Sequence, residues 1–256
     1  MKYIFICSAV LVLSLSAQAQ GIKGLIKKAT TKDSTTGKSA VDKIIGGTSG
    51  SGTQLSSTDV VSGLKEALAV GTQKGAEKLS AADGFFKDAA IKILIPAEAQ
   101  KVITTVSKIP GGQKMVDDAI LSMNRAAEDA SKSAAPIFVN AIKNMSITDA
   151  FGILKGGDTA ATKFLRVTTS GALTEAFKPV IQTSLDKVNA TQYWNKLFTT
   201  YNKFSLQKVN PDLTGYVTDK ALAGMFHQVA LEEQKIRKDP VAQTTDILKK
   251  VFGSKQ

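Results

Sequence analysis

The residues able to do chemistry in this chain are mostly acids and three arginines. Lysine supplies all but three of the 33 basic side chains. A chain so rich in lysine uses arginine where a planar, two-pronged donor matters. Arg125 stands in Met123-Asn124-Arg125-Ala126-Ala127-Glu128-Asp129. On a helix, Asp118, Ser122, Arg125 and Asp129 share one stripe, and Asp117, Asn124 and Glu128 share the adjacent one. Arg166 follows Phe164-Leu165, on a helix whose start Asp158 is placed to cap. Arg237 follows Glu232-Glu233-Gln234-Lys235-Ile236. Glu232 falls on the stripe Leu222, Met225, Val229, Glu232, Ile236, where a carboxylate is costly unless paired. Two readings follow. One is a buried Glu–Arg pair that fixes helix register. The other is a polar cluster of Asn124, Arg125, Glu128, Asp158, Arg166, Glu232 and Arg237 at the base of a cleft. In that second reading Glu128 and Glu232, with Arg125, are the candidates for a hydrolase working through paired carboxylates.

Other chemistries lack their residues. His227 is the only histidine and Cys7 the only cysteine, so no zinc site of those ligands can form. Phe226 and Gln228 beside His227 do not suggest a general base, and a surface or packing role fits it better. Gly37-Lys38-Ser39 resembles the end of a phosphate-binding loop, but the position of the first glycine is Lys32 and no strand precedes it. No serine sits between spaced glycines as in a nucleophile elbow, and no acidic run with a central glycine suits calcium. No cofactor or metal is expected. The net charge of +11 comes with few arginines and few aromatics, which argues against nucleic acid and for a solvated lysine surface or weak attraction to an anionic envelope.

The elements that must position these residues read as helices. Met1-Lys2, the apolar run Tyr3 to Leu15 and the small-x-small site Ala17-Gln18-Ala19 form a secretory leader over residues 1–19. Its removal would take Cys7 with it and leave an exported chain, periplasmic or secreted, without thiol or lipid anchor. Residues 20–54 form a basic, Gly/Ser-rich flexible arm, with a short amphipathic stretch Gly21 to Lys28 and a linker Gly46 to Gly52. It reads either as a spacer or as an arm touching a membrane or partner. Residues 55–256 are expected to fold as one all-α, compact multi-helix bundle.

Helical periodicity begins near Thr58 and recurs after Pro110-Gly111, with Met115/Val116, Ala119/Ile120, Met123, Ala126/Ala127 and Ala130 on one face. Further helices are read from Pro136, from Ser146, after Asp158, over Ser170 to Val188, over Gln192 to Phe204, and over Asp212 to Arg237 with a break near Thr218. A last helix starts at Asp239-Pro240 and ends near Lys249-Lys250. No strand pattern, no internal repeat and no apolar run long enough to span a membrane after the leader is found.

Several segments, taken in order, resemble a bacterial family of exported helical proteins, domain-of-unknown-function family 4197. They are Gly63-Leu64-Lys65-Glu66-Ala67-Leu68, Asp83-Gly84-Phe85-Phe86, Ile91-Lys92-Ile93, Met123 to Glu128, Asp149 to Leu154, Gly157 to Thr162, and Tyr216-Val217-Thr218 through to Lys250-Val251-Phe252-Gly253. The resemblance covers about Leu55 to Gly253. It implies an all-α extracytoplasmic protein and no particular activity. Family members are often lipoproteins, and this chain lacks the cysteine for that anchor. The expected function is a non-catalytic binding or scaffold protein of the cell envelope, holding an apolar or lipid-like ligand between helices. The rivals are the carboxylate hydrolase above and an electrostatic tether through the basic arm.

Overall fold

The computed structural model of the chain describes residues 56–204, 206, 208 and 210–239. The leader, the basic arm, its tethering role and the helix read beyond Pro240 lie outside the described residues. Within them the elements in chain order are α1 (Ser57–Ser80), a 3₁₀ turn (Ala97–Ala99), α2 (Gln100–Val106), α3 (Gly112–Ser131), α4 (Ala134–Lys143), α5 (Ile147–Lys155), α6 (Ala160–Asp186), α7 (Ala190–Phe204) and α8 (Leu213–Lys238). No strand occurs among the described residues. The architecture is an all-α bundle in which α6 packs on α3, α4 and α8, and α8 packs in turn on α1.

Local sequence sets several of the starts. Ser56 with Asp59, and Ser146 with Asp149, form reciprocal capping boxes at α1 and α5. Asp212 accepts the Gly215 amide at 2.8 Å and opens α8. The face read for α3 is largely the buried one: Val116, Met123, Ala126, Ala127 and Ala130 are inside, while Met115 is 57% exposed.

Two expected breaks are absent. α6 runs unbroken through Ser170, because Gly171 meets no neighbour and the hydroxyls of Thr168, Thr169, Ser170 and Thr174 bond back to carbonyls four residues earlier. Its interior proline, Pro179, lies on the exposed side, where a carbonyl left without an amide partner can meet water. α8 runs through Thr218, whose buried hydroxyl donates to the Thr214 carbonyl at 2.7 Å.

Beyond its first turn, where Ala161 and Thr162 are buried, the buried residues of α6 are spaced by four: Leu165, Thr169, Leu173, Phe177, Ile181, Leu185. At about 100° per residue, each step of four advances the buried direction by about 40°. The buried face therefore winds around the helix, and one helix serves several neighbours in turn. Phe138, Phe177, Phe198 and Phe226 are fully enclosed, and Phe138 meets Phe226 edge to face at 6.0 Å between centroids.

Close approach of α8 to the connection after α1 depends on Gly224. A Cβ there would lie 2.5 Å from Phe85 Cε1 and 3.4 Å from Ile91 Cβ. Gly224→Ala gains about 1 kcal/mol in helix propensity but overpacks a fully buried ring, at about 1–3 kcal/mol. We expect a net fall of a few degrees in the melting temperature followed by circular dichroism. Gly171→Ala, with open space around it, should instead stabilise by about 0.5–1 kcal/mol. A rise for Gly224→Ala would contradict the packing argument.

Candidate functional site

The connection from Ala81 to Pro96 contains turns and an extended stretch, with no helix. Its backbone groups must find partners where they are buried. α3 supplies them. Glu128, 4% exposed, accepts the amides of Phe85 at 3.1 Å and Phe86 at 3.2 Å through one oxygen. Its other oxygen takes Arg125 at 2.6 Å. The second prong of Arg125 reaches Asp83 at 2.7 Å, and Asp83 holds a left-handed backbone with φ of 70°. Lys87 and then Arg125 hold the Asp83 carboxyl below its ordinary value of 3.8 by hydrogen bonding. Asn124, fully buried, accepts the Ile93 amide and donates to the Ile93 carbonyl, both at 2.9 Å. Its side-chain amide acts as a one-residue strand partner for the extended stretch.

A second brace stands at the start of α6, where sequence reasoning is corrected. Asp158 makes no cap. It is over half exposed and pairs with Lys238 at 2.7 Å, which holds its carboxyl below the ordinary range. The capping carboxylate is Glu233, from α8. It accepts the amides of Ala161 at 2.9 Å and Thr162 at 2.8 Å, and the Thr162 hydroxyl at 2.8 Å. Arg237 binds Glu233 at 2.9 Å and also donates to the Ile153 carbonyl at 2.9 Å. Glu233 is 5% exposed, so it is the buried acid of this helix, one residue on from the expected Glu232. Glu232 is half-buried against Gly71 of α1 and accepts from Gln228 at 3.0 Å, while Gln228 also takes Lys78. The periodicity points toward α1. Glu233 points toward α6, and two amides at a helix start are its attraction.

The seven predicted residues therefore fall into separate places. Asn124, Arg125 and Glu128 come together on α3. Asp158 and Arg237 gather at the start of α6 with Glu233. Arg166 is exposed and lies over the Phe226 ring at 4.4 Å. Glu128 and Glu232 sit on different helices and share no partner among the described residues.

Both residues also stand apart from a surface concavity beside α8. That groove, of about 650 Å³, runs between α8 and residues 90–98. Small-molecule sites occupy about 300–1,000 Å³. Its apolar part is Ala90, Ile91, Leu94, Ile95, Pro96 and Ala97, facing Ala223 and Gly224. Leu94 is 54% exposed. Its polar residues are Lys92, Glu98, Tyr216, Lys220 and His227. The Tyr216 hydroxyl donates to the Leu94 carbonyl at 2.7 Å and ties the wall to α8. Burial, and then the charge of Glu98, push the Tyr216 phenol up, so it stays a donor. Sequence reasoning missed this groove, apart from quoting Ile91, Lys92 and Tyr216 for the family resemblance and setting His227 on the surface. Tyr216, Lys220, Ala223 and His227 do recur at three- and four-residue steps, the one signal available for a shared face. Among the described residues no group of three or more His, Cys, Asp or Glu could hold a metal, and no helix is long and apolar enough to cross a membrane.

Fold and site together define an all-helical protein in which buried carboxylates clamp irregular backbone beside an exposed groove. A family model described as "Protein of unknown function (DUF4197)" matches residues 54–253, and the chain belongs to that family. No curated protein and no solved structure matches it.

Removing either clamping carboxylate strands two amides; removing Glu233 also strands Arg237, whose side chain is 10% exposed, whereas Arg125 is 42% exposed and keeps Asp83. Glu233→Ala should cost about 3–5 kcal/mol and Glu128→Ala about 1–3 kcal/mol for each amide it strands, both measured by urea denaturation. Glu232→Ala should cost less than about 1 kcal/mol, and Asp158→Ala should melt close to wild type. Equal losses for Glu232 and Glu233 would refute the assignment.

The depressed Asp83 carboxyl contributes stability that is fully present above about pH 4. That contribution is lost as the pH falls through its lower folded value. Asp83→Asn should be less stable than wild type at neutral pH, and the gap should close below pH 3.8. A gap unchanged down to the lowest pH at which the protein folds would rule out the ionic origin.

Proposed function

We propose that this chain is an exported, non-catalytic binding protein of the cell envelope, and that it holds its ligand in the groove between α8 and residues 90–98. The leader pattern of residues 1–19 supports export. The observation that carries the binding reading is the groove itself: a concavity of small-molecule size, with an apolar wall and a few polar side chains placed around it. The groove lies at the surface, so this reading puts the ligand against α8 and not between the helices. The same geometry speaks against the carboxylate hydrolase. Both oxygens of Glu128 are spent on backbone amides and Arg125, and neither Glu128 nor Glu232 lines the groove.

Native mass spectrometry of the protein exported by its own leader, gently purified from the envelope fraction, tests this reading. A discrete bound mass is expected, lost on denaturation. Ala223→Trp places a large ring in the groove from an exposed position and should remove the bound mass without changing the helical circular dichroism. A clean apo mass for wild type, or a bound mass retained by Ala223→Trp, would count against the groove.

A further inference from the structure

We propose that the ligand of this groove is a single-chain amphiphile with an anionic head, its chain on the apolar wall and its head against Lys92 and Lys220. The proposal rests on the groove being the binding place. Its argument begins with how these two lysines are held. Most exposed lysines swing freely on four-carbon stems. Lys92 instead stands over the Phe86 ring at 4.0 Å, and Lys220 over the Tyr216 ring at 5.6 Å. Among the described residues, no other lysine stands over a ring. Like most lysines among the described residues, neither pairs with a carboxylate, and the ring contact is what sets these two apart. Two ammonium groups are thus preplaced at the edge of the groove with their charge unspent.

The braces explain why the placement lasts. Phe86, the platform under Lys92, has its amide fixed by Glu128. Tyr216, the platform under Lys220, is fixed by its bond to the Leu94 carbonyl. Preorganised cations lose little freedom when an anion arrives. Against them the groove sets one carboxylate, Glu98, and one histidine, His227. The charge balance favours an anion, and Glu98 confines the head to the lysines.

The apolar wall decides between a bare anion and an amphiphile. Leu94 keeps over half its surface in water although Ile91, Ile93 and Ile95 around it are buried. With Ala90, Pro96, Ala97 and Ala223 it forms an apolar strip alongside α8. From Tyr216 to His227 the helix spans roughly 16 Å, at about 1.5 Å per residue. A bare anion would leave that strip in water. An acyl chain would cover it, at about 0.8 kcal/mol per buried methylene.

Isothermal titration of the purified full chain below the micellar range tests the assignment, with dodecanoate, dodecyl phosphate, the neutral monoglyceride of dodecanoic acid, and inorganic phosphate as probes. Both anionic amphiphiles should bind at least tenfold tighter than the neutral one, and inorganic phosphate should not bind measurably. Lys92→Gln with Lys220→Gln should erase that preference and leave the neutral probe unchanged. Both positions are at the surface, so the folded state should survive, with circular dichroism as the check. Equal binding of neutral and anionic probes, blocked by Ala223→Trp, would overturn the anionic head and leave the groove standing. Tight inorganic phosphate binding lost in the double variant would overturn the amphiphile. Binding of no probe would overturn the proposal, with the mass-spectrometric result then deciding the groove by itself.

Discussion

Everything on the groove side of this protein depends on one buried carboxylate. Glu128 holds two consecutive amides of the connection after α1, and Arg125 pairs with that carboxylate and ties it to Asp83. Without such partners an irregular stretch could not lie under α8, since each unpaired buried amide costs about 1–3 kcal/mol. Asn124 extends the same solution to Ile93. Once residues 83–93 are fixed, Phe85 can seat against Gly224 and the following residues become a wall.

The start of α6 meets the same problem in a different setting. α1 and α5 begin at exposed capping residues and use local boxes, Ser56 with Asp59 and Ser146 with Asp149. In the first turn of α6 the amides that need partners belong to Ala161 and Thr162, which are buried. A local serine box suits a start that water can reach. A carboxylate from a neighbouring helix adds charge to the dipole and ties two elements together. Glu233 does both, because Arg237 on its own helix neutralises it and reaches on to the end of α5. The last turn of α8 is thereby locked to the end of α5 and the start of α6. A pair this dry contributes register more than net stability.

Much of this was readable from the residues, and the division has a physical basis. Helix existence and the local starts at Ser146 and Asp212 follow from short-range periodicity and capping. The importance of Asn124, Arg125 and Glu128 showed in the scarcity of arginine and the crowding of polar types on α3. What failed was long-range. Glu232 and Glu233 are adjacent, and the apolar stripe favours the first. Only the position of α6 decides that the second is buried. Asp158 has the right type and place for a cap, yet a better acceptor arrives from seventy-odd residues away. Unbroken α6 defeats the eye for a related reason. Its buried positions advance around the helix, so no single face looks apolar along its whole length.

The separation of brace from groove also bears on how a binding site is kept. Glu128, Asn124 and Glu233 are buried and committed to backbone, and they touch no part of the groove. Lys220, Ala223 and His227 are exposed on the outer face of α8 and commit little to folding. The packed brace and the open groove therefore both involve the same short connection. Its inner face is fixed by α3, and its outer face offers Leu94 to water. The ordering entropy of the wall is met by the fold before any ligand arrives, which leaves the contacts of the groove free to act as affinity. Polar residues on the exposed face can then differ without disturbing the clamp beneath them. A groove built this way holds its shape independently of the polar side chains at its rim.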